Sequence, residues 1–231
     1  MPESIDDTRA MLAKHHRDVE HFADLMKQTY ANRFGDAFWT FWHQHVGAQL
    51  QRGSHVLDLG TGPGLFIHDV VERYPGVRVT GVDVAPWMLD AIGGLPEGCD
   101  VVNADLHDPH LPLDDGQIDA AVASAVLHEL NQPVRLLLEM QRCIRPGGYL
   151  FVTDWVRSSL DVYMQNEADA DKVFSRELDV ASLEDTFIHF IEHNRFSRDD
   201  LIYMLQRCGF EVMHCDLYNN DRFTRMAARR I

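Results

Sequence analysis

The feature that most constrains the fold is a short apolar strand that runs straight into a glycine-rich turn and then into a helix. Val56-Leu57-Asp58-Leu59 precedes Gly60-Thr61-Gly62-Pro63-Gly64, and a helix is predicted from Leu65. Glycines in such a turn adopt backbone angles that other residues avoid, and they remove side chains that would keep a ligand off the main chain. The spacing is G-x-G-x-G, and Pro63 has no amide hydrogen to offer a pyrophosphate. The turn alone predicts a nucleotide-like ligand without naming it.

Around this turn, predicted strands and helices alternate, which indicates parallel βαβ units. Beyond residue 196, a capped helix and two strands joined by Asn219-Asn220-Asp221 predict an antiparallel hairpin. The expected fold is α/β: a Rossmann-like, doubly wound, mostly parallel seven-stranded sheet ending in that hairpin, with N-terminal helices and a helical insertion after strand 5. RPGG at 145–148 is predicted to stop a helix and form a tight turn. The predicted strands are 55–59, 77–82, 101–104, 118–123, 149–153, 210–218 and 223–228.

Charge and composition narrow the class of partner. The chain has 21 Lys and Arg against 36 Asp and Glu, a net charge of −15 at pH 7, and such a field repels phosphate backbones. We therefore expect a small-molecule partner and no nucleic acid. No apolar run reaches bilayer-spanning length and the N-terminus lacks a signal peptide's regions, so no membrane association and a cytoplasmic location are expected. The C-terminal arginines are expected along a solvated edge strand; they are Arg222, Arg225, Arg229 and Arg230.

Two carboxylates follow the next predicted strands. Asp83 ends the second strand, where a carboxylate accepts both hydroxyls of a ribose. Asp105 follows the third strand, where it is placed to receive an adenine amino group. A positively charged cofactor without phosphates fits this acidic crevice, whereas a dinucleotide fits it poorly. Asp58 is either a ligand contact or a buried carboxylate that caps the glycine turn.

Together these motifs resemble the class I S-adenosylmethionine-dependent methyltransferase family over residues 54–154. The resemblance rests on VLDLGTGPG (56–64), GVD (81–83), ADL (104–106), IDAAVASAVLHEL (118–130) and RPGG (145–148). It implies S-adenosylmethionine as cofactor, its methionine part near the glycines and its ribose on Asp83. The implied cofactor-binding residues are Asp58, Gly60, Thr61, Gly62, Gly64, Asp83, Val84, Met88, Asp105, Leu106 and Ser124.

Catalysis of methyl transfer is expected at the carboxyl ends of the fourth and fifth strands. Displacement at a sulfonium is in-line, so the enzyme must align the nucleophile, exclude water and, where necessary, remove a proton. The candidate catalytic residues there are His128, Glu129 and Asp154. Glu129 alternatively caps the following segment, and the neighbouring Trp155 is alternatively part of the core.

The helical insertion contains His189-x-x-Glu192-His193, which matches the inverted zinc-protease motif H-x-x-E-H. Histidines at i and i+4 share a helix face, but a five-residue match is a frequent accident in a chain with 13 histidines, so no metal is expected. We interpret this face as closing over the methyl acceptor; the alternative is a histidine pair at a helix–helix contact. His107, Asp108 and His110 are interpreted as exposed loop residues rather than metal ligands.

Four segments more narrowly resemble the methyltransferase module of ovothiol biosynthesis, which methylates an imidazole nitrogen of 5-thiohistidine. They are MKQTYANRFGDAFWTFW (26–42), VLHELNQPV (126–134), DWVRSSL (154–160) and HFIEHNRFSRDDL (189–201). The resemblance implies a stand-alone module that acts after a separate sulfoxide synthase and lyase. The predicted substrate-binding residues are Tyr30, Arg33, Trp155, His189, His193, Asn194 and Arg195.

The chemistry of an amino-acid acceptor is compatible with these residues. Arg33 or Arg195 offers a cation to its carboxylate, and Asp154 or Glu192 an anion to its ammonium. His128 or Glu129 would act as the base or fix the ring tautomer. Tyr30 covers the methionine end of the cofactor or is ordinary aromatic core.

We expect one domain: a helical cap (1–53), a cofactor-binding core (54–157), an insertion over the acceptor site (158–196), and the last helix and hairpin (197–231). Three other functions stay open. They are a methyltransferase for another small N-, O- or S-acceptor, a non-catalytic S-adenosylmethionine-binding protein, and a nicotinamide oxidoreductase.

Overall fold

A computed structural model of the chain describes residues 4–16, 19–165 and 170–231. The helices are α1 (Ile5–His15), α2 (Val19–Gln28), α3 (Tyr30–Arg33), α4 (Asp36–His45), α5 (Leu65–Arg73), α6 (Pro86–Leu89), α7 (Val134–Cys143), α8 (Leu160–Met164), α9 (Ala170–Val173), α10 (Val180–His193) and α11 (Arg198–Arg207). The strands are β1 (His55–Leu59), β2 (Arg78–Asp83), β3 (Asp100–Asn103), β4 (Ile118–Ser124), β5 (Ile144–Trp155), β6 (Phe210–Tyr218) and β7 (Phe223–Arg230).

The strands form one seven-stranded sheet in the order β3-β2-β1-β4-β5-β7-β6. β1 to β5 are parallel, and β7 is antiparallel to both β5 and β6. The predicted mostly parallel α/β fold with a closing hairpin is confirmed. The strand order reverses between β1 and β4, and ligands of open α/β sheets bind beyond the carboxyl ends of the strands at such a point.

The alternation of side chains along β1 explains how helices cover both faces of the sheet. Val56 belongs to a cluster with the aromatic side chains of α4 and α5, whereas Leu57 and Leu59 pack with α7 and α11 on the other face. Trp42 is fully buried on the α4 side and contacts Phe151 edge-on, with ring centroids 5.2 Å apart. The site therefore stands on a sheet that is buried on both faces.

Two details at the C-terminal side of the sheet differ from the expectation. The RPGG segment is not a turn outside the sheet: Ile118 pairs with Ile144 and Ala120 with Tyr149, so residues 145–148 form an irregular bulge inside β5. The arginine-bearing strand β7 is not the edge strand, because β6 lies outside it. Arg222 is 3% exposed, since the turn of the hairpin folds it against aromatic rings of the insertion side. The hairpin turn itself is as predicted, with φ of 52° to 60° at Asn219, Asn220 and Asp221.

The insertion consists of α8, α9 and α10 rather than one continuous helix. Helix α10 approaches the carboxyl edge of the sheet, where Asn194 accepts a hydrogen bond from the backbone N–H of Ser158 at 2.6 Å. None of the described helices has the length and apolar character that crossing a membrane requires.

The start of α11 is fixed by a capping box. Ser197 Oγ accepts from the N–H of Asp200 at 3.1 Å, and Asp200 Oδ2 accepts from the N–H of Ser197 at 2.8 Å. We expect Ser197→Ala to lower the free energy of unfolding by about 1 kcal/mol in urea titrations, because the N–H of Asp200 loses its side-chain acceptor. Asp199→Ala is the control in the same turn, as that side chain is exposed and bonds only to Arg198. Equal effects of the two substitutions would contradict the cap's contribution.

Candidate active site

A cavity of about 490 Å³ lies at the carboxyl ends of β1, β2 and β4. Its floor is the glycine turn, and its walls come from α1, the α2–α3 segment, the β4–α7 loop, the end of β5 and α10. Most predicted site residues line it: Tyr30, Arg33, Asp58, Gly60, Thr61, Gly62, Asp83, Val84, Met88, Asp105, Leu106, Ser124, His128, Glu129, Trp155, His189 and His193. Four predicted site residues do not line it, namely Gly64, Asp154, Asn194 and Arg195.

The glycine turn needs glycine for two physical reasons. Gly60 and Gly62 have φ of +67° and +55°, in the left-handed region. A Cβ on Gly60 would also lie 2.7 Å from Val126 Cγ2, so a side chain there would collide with the cavity wall. Gly64 does not line the cavity as predicted: it is the N-cap of α5 with φ +76°, and a Cβ on it would lie 3.3 Å from the side chain of Ile92.

Two carboxylates stand beside this turn. Asp83 Oδ2 accepts from the N–H of Gly62 at 2.8 Å and Oδ1 from the N–H of Ala85 at 2.9 Å; burial raises the pKa of Asp83 despite these bonds. Asp58 accepts from the Thr61 hydroxyl at 2.7 Å, and burial, helped by the charge of Asp83, raises the pKa of Asp58 to about 7. Asp58 thus both braces the turn and lines the cavity, which combines the two alternatives.

At the far end, Asp105 is held by a residue that the sequence did not single out. Thr8, on α1 and only 1% exposed, donates its hydroxyl to Asp105 Oδ2 at 2.6 Å, and the N–H of His107 donates to Oδ1 at 2.8 Å. Burial raises the pKa of Asp105, but the hydrogen bonds from His107 and Thr8 outweigh burial and leave the pKa lowered. Arg9 also ties α1 down by donating to the carbonyl of Val84.

His128 and Asp154 form a buried pair at the ends of β4 and β5. His128 Nδ1 lies 2.6 Å from Asp154 Oδ1, and the backbone N–H groups of Leu127 and Trp155 donate to the same carboxylate at 2.6 and 2.7 Å. Burial lowers the pKa of His128, but the charge and hydrogen bond of Asp154 outweigh burial and raise it overall. Asp154 therefore orients His128 and raises its pKa instead of facing the cavity, because the carboxylate is 1% exposed behind the histidine.

An aromatic wall lies next to His128. The rings of Trp155 and His193 stack with centroids 4.4 Å apart, and Phe223 lies 4.0 Å from Trp155 by the same measure. The guanidinium of Arg222 lies 4.8 Å from the Trp155 ring centroid. Phe223 and Arg222 were not predicted in the site; the signal for Phe223 is the pairing of β7 with β5, which places it directly opposite Trp155.

Of the remaining predicted residues, some line the cavity and others hold the surrounding segments in place. Glu129 does not cap α7: its Oε1 lies 3.7 Å from His16 Nε2 at the cavity. His189 and His193, on α10, line the cavity. No group of three His, Cys, Asp or Glu that could hold a metal occurs in the part of the chain that the structure describes. Asn194 and Arg195 are scaffold instead, because Asn194 holds Ser158 and Arg195 donates to Asn131.

The cofactor end of this cavity fits S-adenosylmethionine. A Cβ on Gly60 would fill the space beside the main chain of the turn, so the absence of a side chain lets a ligand approach there. The carboxylates of Asp58, Asp83 and Asp105 suit a cationic ligand with hydroxyl and amino donors. Apolar side chains of Val84 and Met88 offer a slot for a flat base. The volume is in the range of small-molecule sites.

Comparisons with known proteins agree with this geometry. A family model described as a methyltransferase domain matches residues 57–152. An uncharacterized methyltransferase of Mycobacterium tuberculosis is 38% identical over 96 residues, covering 41% of this chain and 37% of that protein. The chain spans about a third to a half of the length of the curated relatives that it matches.

Two solved structures are similar in fold. An S-adenosylmethionine-dependent methyltransferase from Mesorhizobium loti matches with a TM-score of 0.62 and 21% identity, over 85% of this chain and 99% of that one. A Haemonchus contortus phosphoethanolamine N-methyltransferase, in complex with S-adenosylhomocysteine, matches with a TM-score of 0.69 and 11% identity, over 96% of this chain and 60% of that one.

Residues 57–152 match a methyltransferase domain, and the fold is similar to that of S-adenosylmethionine-dependent methyltransferases. The matched segment contains the glycine turn, Asp83, Asp105 and His128, but it ends before Asp154 and excludes α1 to α4 and α10. The family match therefore covers the part of the cavity around the glycine turn, whereas Thr8, Tyr30, Trp155, His189 and His193 come from flanking segments.

Proposed function

We propose that this methyltransferase transfers a methyl group from S-adenosylmethionine to an imidazole nitrogen of 5-thiohistidine, as a stand-alone module that acts after a separate sulfoxide synthase and lyase. One observation carries the proposal. The four segments that resemble the ovothiol module are far apart in sequence, and each supplies side chains to the same cavity. They contribute Tyr30 and Arg33, His128 and Glu129, Trp155, and His189 and His193.

The cofactor, when bound, supplies a methyl group on a cationic sulfur. The nucleophile's lone pair forms the new bond to carbon as the carbon–sulfur bond breaks and its electrons stay on sulfur. The protein's contribution is to hold the nucleophile in line and to keep water out. The cavity and its aromatic wall suit both tasks.

His128 takes the proton that an imidazole acceptor must lose. Its Nδ1 is engaged by Asp154, so proton exchange falls to Nε2. An ionised Asp154 accepts only, which fixes the neutral histidine in the tautomer with its lone pair on Nε2. His128 is also inside the cavity that holds the cofactor residues, so the base and the methyl donor face one space.

The aromatic wall supports a flat, π-rich acceptor. Trp155 stacks on His193, and the nearby cation of Arg222 is positioned on the same indole. Once the imidazole ring of the acceptor lies against this wall, only the two torsions that join the ring to its amino-acid backbone remain to be fixed by other contacts. The polar residues that line the cavity then discriminate among substrates that carry an aromatic ring, through hydrogen bonds and charge.

The pH dependence of turnover tests the role of the pair. Neutral His128 is the active base, so kcat should rise with pH through its pKa, which lies above that of an ordinary histidine. Asp154→Asn removes the charge that raises this pKa, so the acidic limb should move to lower pH while maximal kcat falls roughly tenfold or more. The kcat–pH profile of both proteins checks this. A limb that stays in place in the variant would show that Asp154 does not set the titration of His128.

Substrate identity is tested by incubating the protein with S-adenosylmethionine and a panel of acceptors: 5-thiohistidine, histidine, a primary amine, a phenol and a thiol. Formation of S-adenosylhomocysteine with a singly methylated product from 5-thiohistidine is the expected result. Transfer only to another panel member would replace the acceptor and keep the enzyme class. Tight binding of S-adenosylhomocysteine without transfer to any member would favour a non-catalytic cofactor-binding protein.

A further inference from the structure

Helix α10 turns several large apolar side chains toward solvent. None of its 14 residues, all of which the structure describes, is buried. Positions 180, 187 and 191 lie on one face of the helix, and position 188 lies beside them. The side chains at these positions are between 37% and 69% exposed; they are Val180, Phe187, Ile188 and Ile191. Glu184 lies between them at helical spacing, and these five residues are called the outer face of α10.

The opposite side of the helix already has partners. Leu183 and Phe190 pack against buried residues of α8 and α9, whereas His189 and His193 line the cavity. These inner contacts fix the orientation of α10 and leave its outer face in solvent. Because a surface helix normally turns its apolar stripe toward the core, a stripe that stays exposed indicates an interaction site.

The charges of α10 indicate which kind of partner fits this face. The acidic residues of the helix are Glu184, Asp185 and Glu192, and residues 180–193 include neither Lys nor Arg. Glu184 is exposed within the outer face itself. An apolar face of this sign is complementary to a partner surface that is apolar at its centre and positively charged beside it.

The same charges argue against two other occupants. In a twofold-symmetric pair of chains a patch meets its own copy, so Glu184 and its acidic neighbours would lie near like charges. A helix that lies on a membrane carries Lys and Arg on its polar face, because many membrane surfaces are anionic, and α10 has the opposite sign.

We infer that the outer face of α10 binds an amphipathic helix of a partner protein, with apolar side chains at helical spacing and Lys or Arg beside them. The apolar side chains of the partner cover Phe187, Ile188 and Ile191, and a cation pairs with Glu184. The partner therefore binds behind the wall of the cavity, because the inner side of the same helix carries His189 and His193.

A display library of helical peptides with random surface positions, selected on the purified full chain, tests this inference. We expect the recovered peptides to carry apolar residues at i, i+3, i+4 and i+7 and an excess of Lys and Arg beside them. A synthetic copy of the most frequent peptide should slow hydrogen exchange within residues 180–193. Recovery of no helical binder, or of binders rich in Asp and Glu, would overturn the inference.

Two variants test the contact by fluorescence anisotropy with the synthetic peptide. Ile191→Ser should weaken binding at least about tenfold, because it removes apolar area from the contact. Glu184→Lys should weaken it about fivefold, and exchanging the Lys and Arg of the peptide for Glu should restore the affinity for this variant. Leu138→Ser is the matched control, since Leu138 is half exposed on α7 and should leave the affinity unchanged. Equal losses in Ile191→Ser and Leu138→Ser would contradict the placement on α10.

The two other occupants are tested with the same proteins, after thermal unfolding has shown that the variants fold. Analytical ultracentrifugation measures self-association, and flotation with vesicles of phosphatidylcholine and phosphatidylserine measures membrane binding. We expect Ile191→Ser to change neither. A dimer that dissociates in Ile191→Ser would make a second copy the occupant, and flotation that this substitution abolishes would make it a membrane; either result overturns the inference.

Discussion

Replacing His128 with asparagine should lower kcat about 10²- to 10⁴-fold while leaving the affinity for S-adenosylhomocysteine unchanged. The amide still fits the space and still meets Asp154, but it cannot accept the proton that the acceptor releases. The loss should therefore appear in kcat and not in cofactor binding. Single-turnover mixing of the cofactor complex with 5-thiohistidine measures the step directly.

The control for this substitution is His110→Asn, an exposed loop histidine that lies outside the cavity lining and contacts the carbonyl of Asp108. That variant should turn over at the wild-type rate. Unchanged kcat in His128→Asn would remove the proposed base. A parallel loss of cofactor affinity and thermal stability would instead make His128 part of the scaffold, since it is only 4% exposed.

The cofactor half could be predicted because its determinants are local. A strand, a turn of glycines and a helix are adjacent in sequence, and the glycine at position 60 has no tolerable replacement once β1 and the loop after β4 are in place. Asp83 follows from the same logic, because the carboxyl ends of neighbouring parallel strands meet at one edge. The hairpin turn could also be predicted, because Asn219 and its two neighbours are residue types that adopt positive φ.

Contacts that depend on packing between distant segments could not be predicted from the sequence. Thr8 reaches Asp105 only because α1 crosses the edge of the sheet, and no periodicity in residues 5–15 indicates that contact. Arg195 was an attractive carboxylate partner by composition, yet the end of α10 directs it to Asn131. Arg222 was expected in solvent, and the hairpin buries it beside Trp155. The sequence shows which residues carry a charge, but it does not show where their side chains point.

Asp154 shows the same distinction within one residue. Its position after β5 correctly indicated chemistry near the end of the sheet, but the strand places the carboxylate behind His128, where backbone N–H groups of Val126 and Leu127 hold it. Its influence on the proposed reaction is therefore exerted through the histidine. A residue at a strand end thus acts on the cavity directly or through a neighbour, and only the side-chain geometry distinguishes the two.

The second large effect concerns the cofactor. Asp83→Asn should weaken S-adenosylhomocysteine by about 1–3 kcal/mol, roughly 5- to 150-fold, because a carboxylate that accepts two ribose hydroxyls becomes an amide with a single acceptor oxygen. Asp90→Asn is the control, since Asp90 is exposed at the end of the neighbouring α6 and should leave the dissociation constant unchanged. Calorimetric titration measures both.

The same carboxylate also holds the N–H groups of Gly62 and Ala85, so a lost ribose contact must be separated from a disturbed turn. The 2′-deoxy analogue of S-adenosylhomocysteine makes this separation, because removal of one hydroxyl should weaken binding to the wild type but much less to Asp83→Asn. If both proteins lose the same affinity on removal of the hydroxyl, Asp83 stabilises the turn without contacting the ribose. A large coupling between the hydroxyl and the carboxylate is the expected result, because both carboxylate oxygens keep lone pairs beyond those used by the backbone.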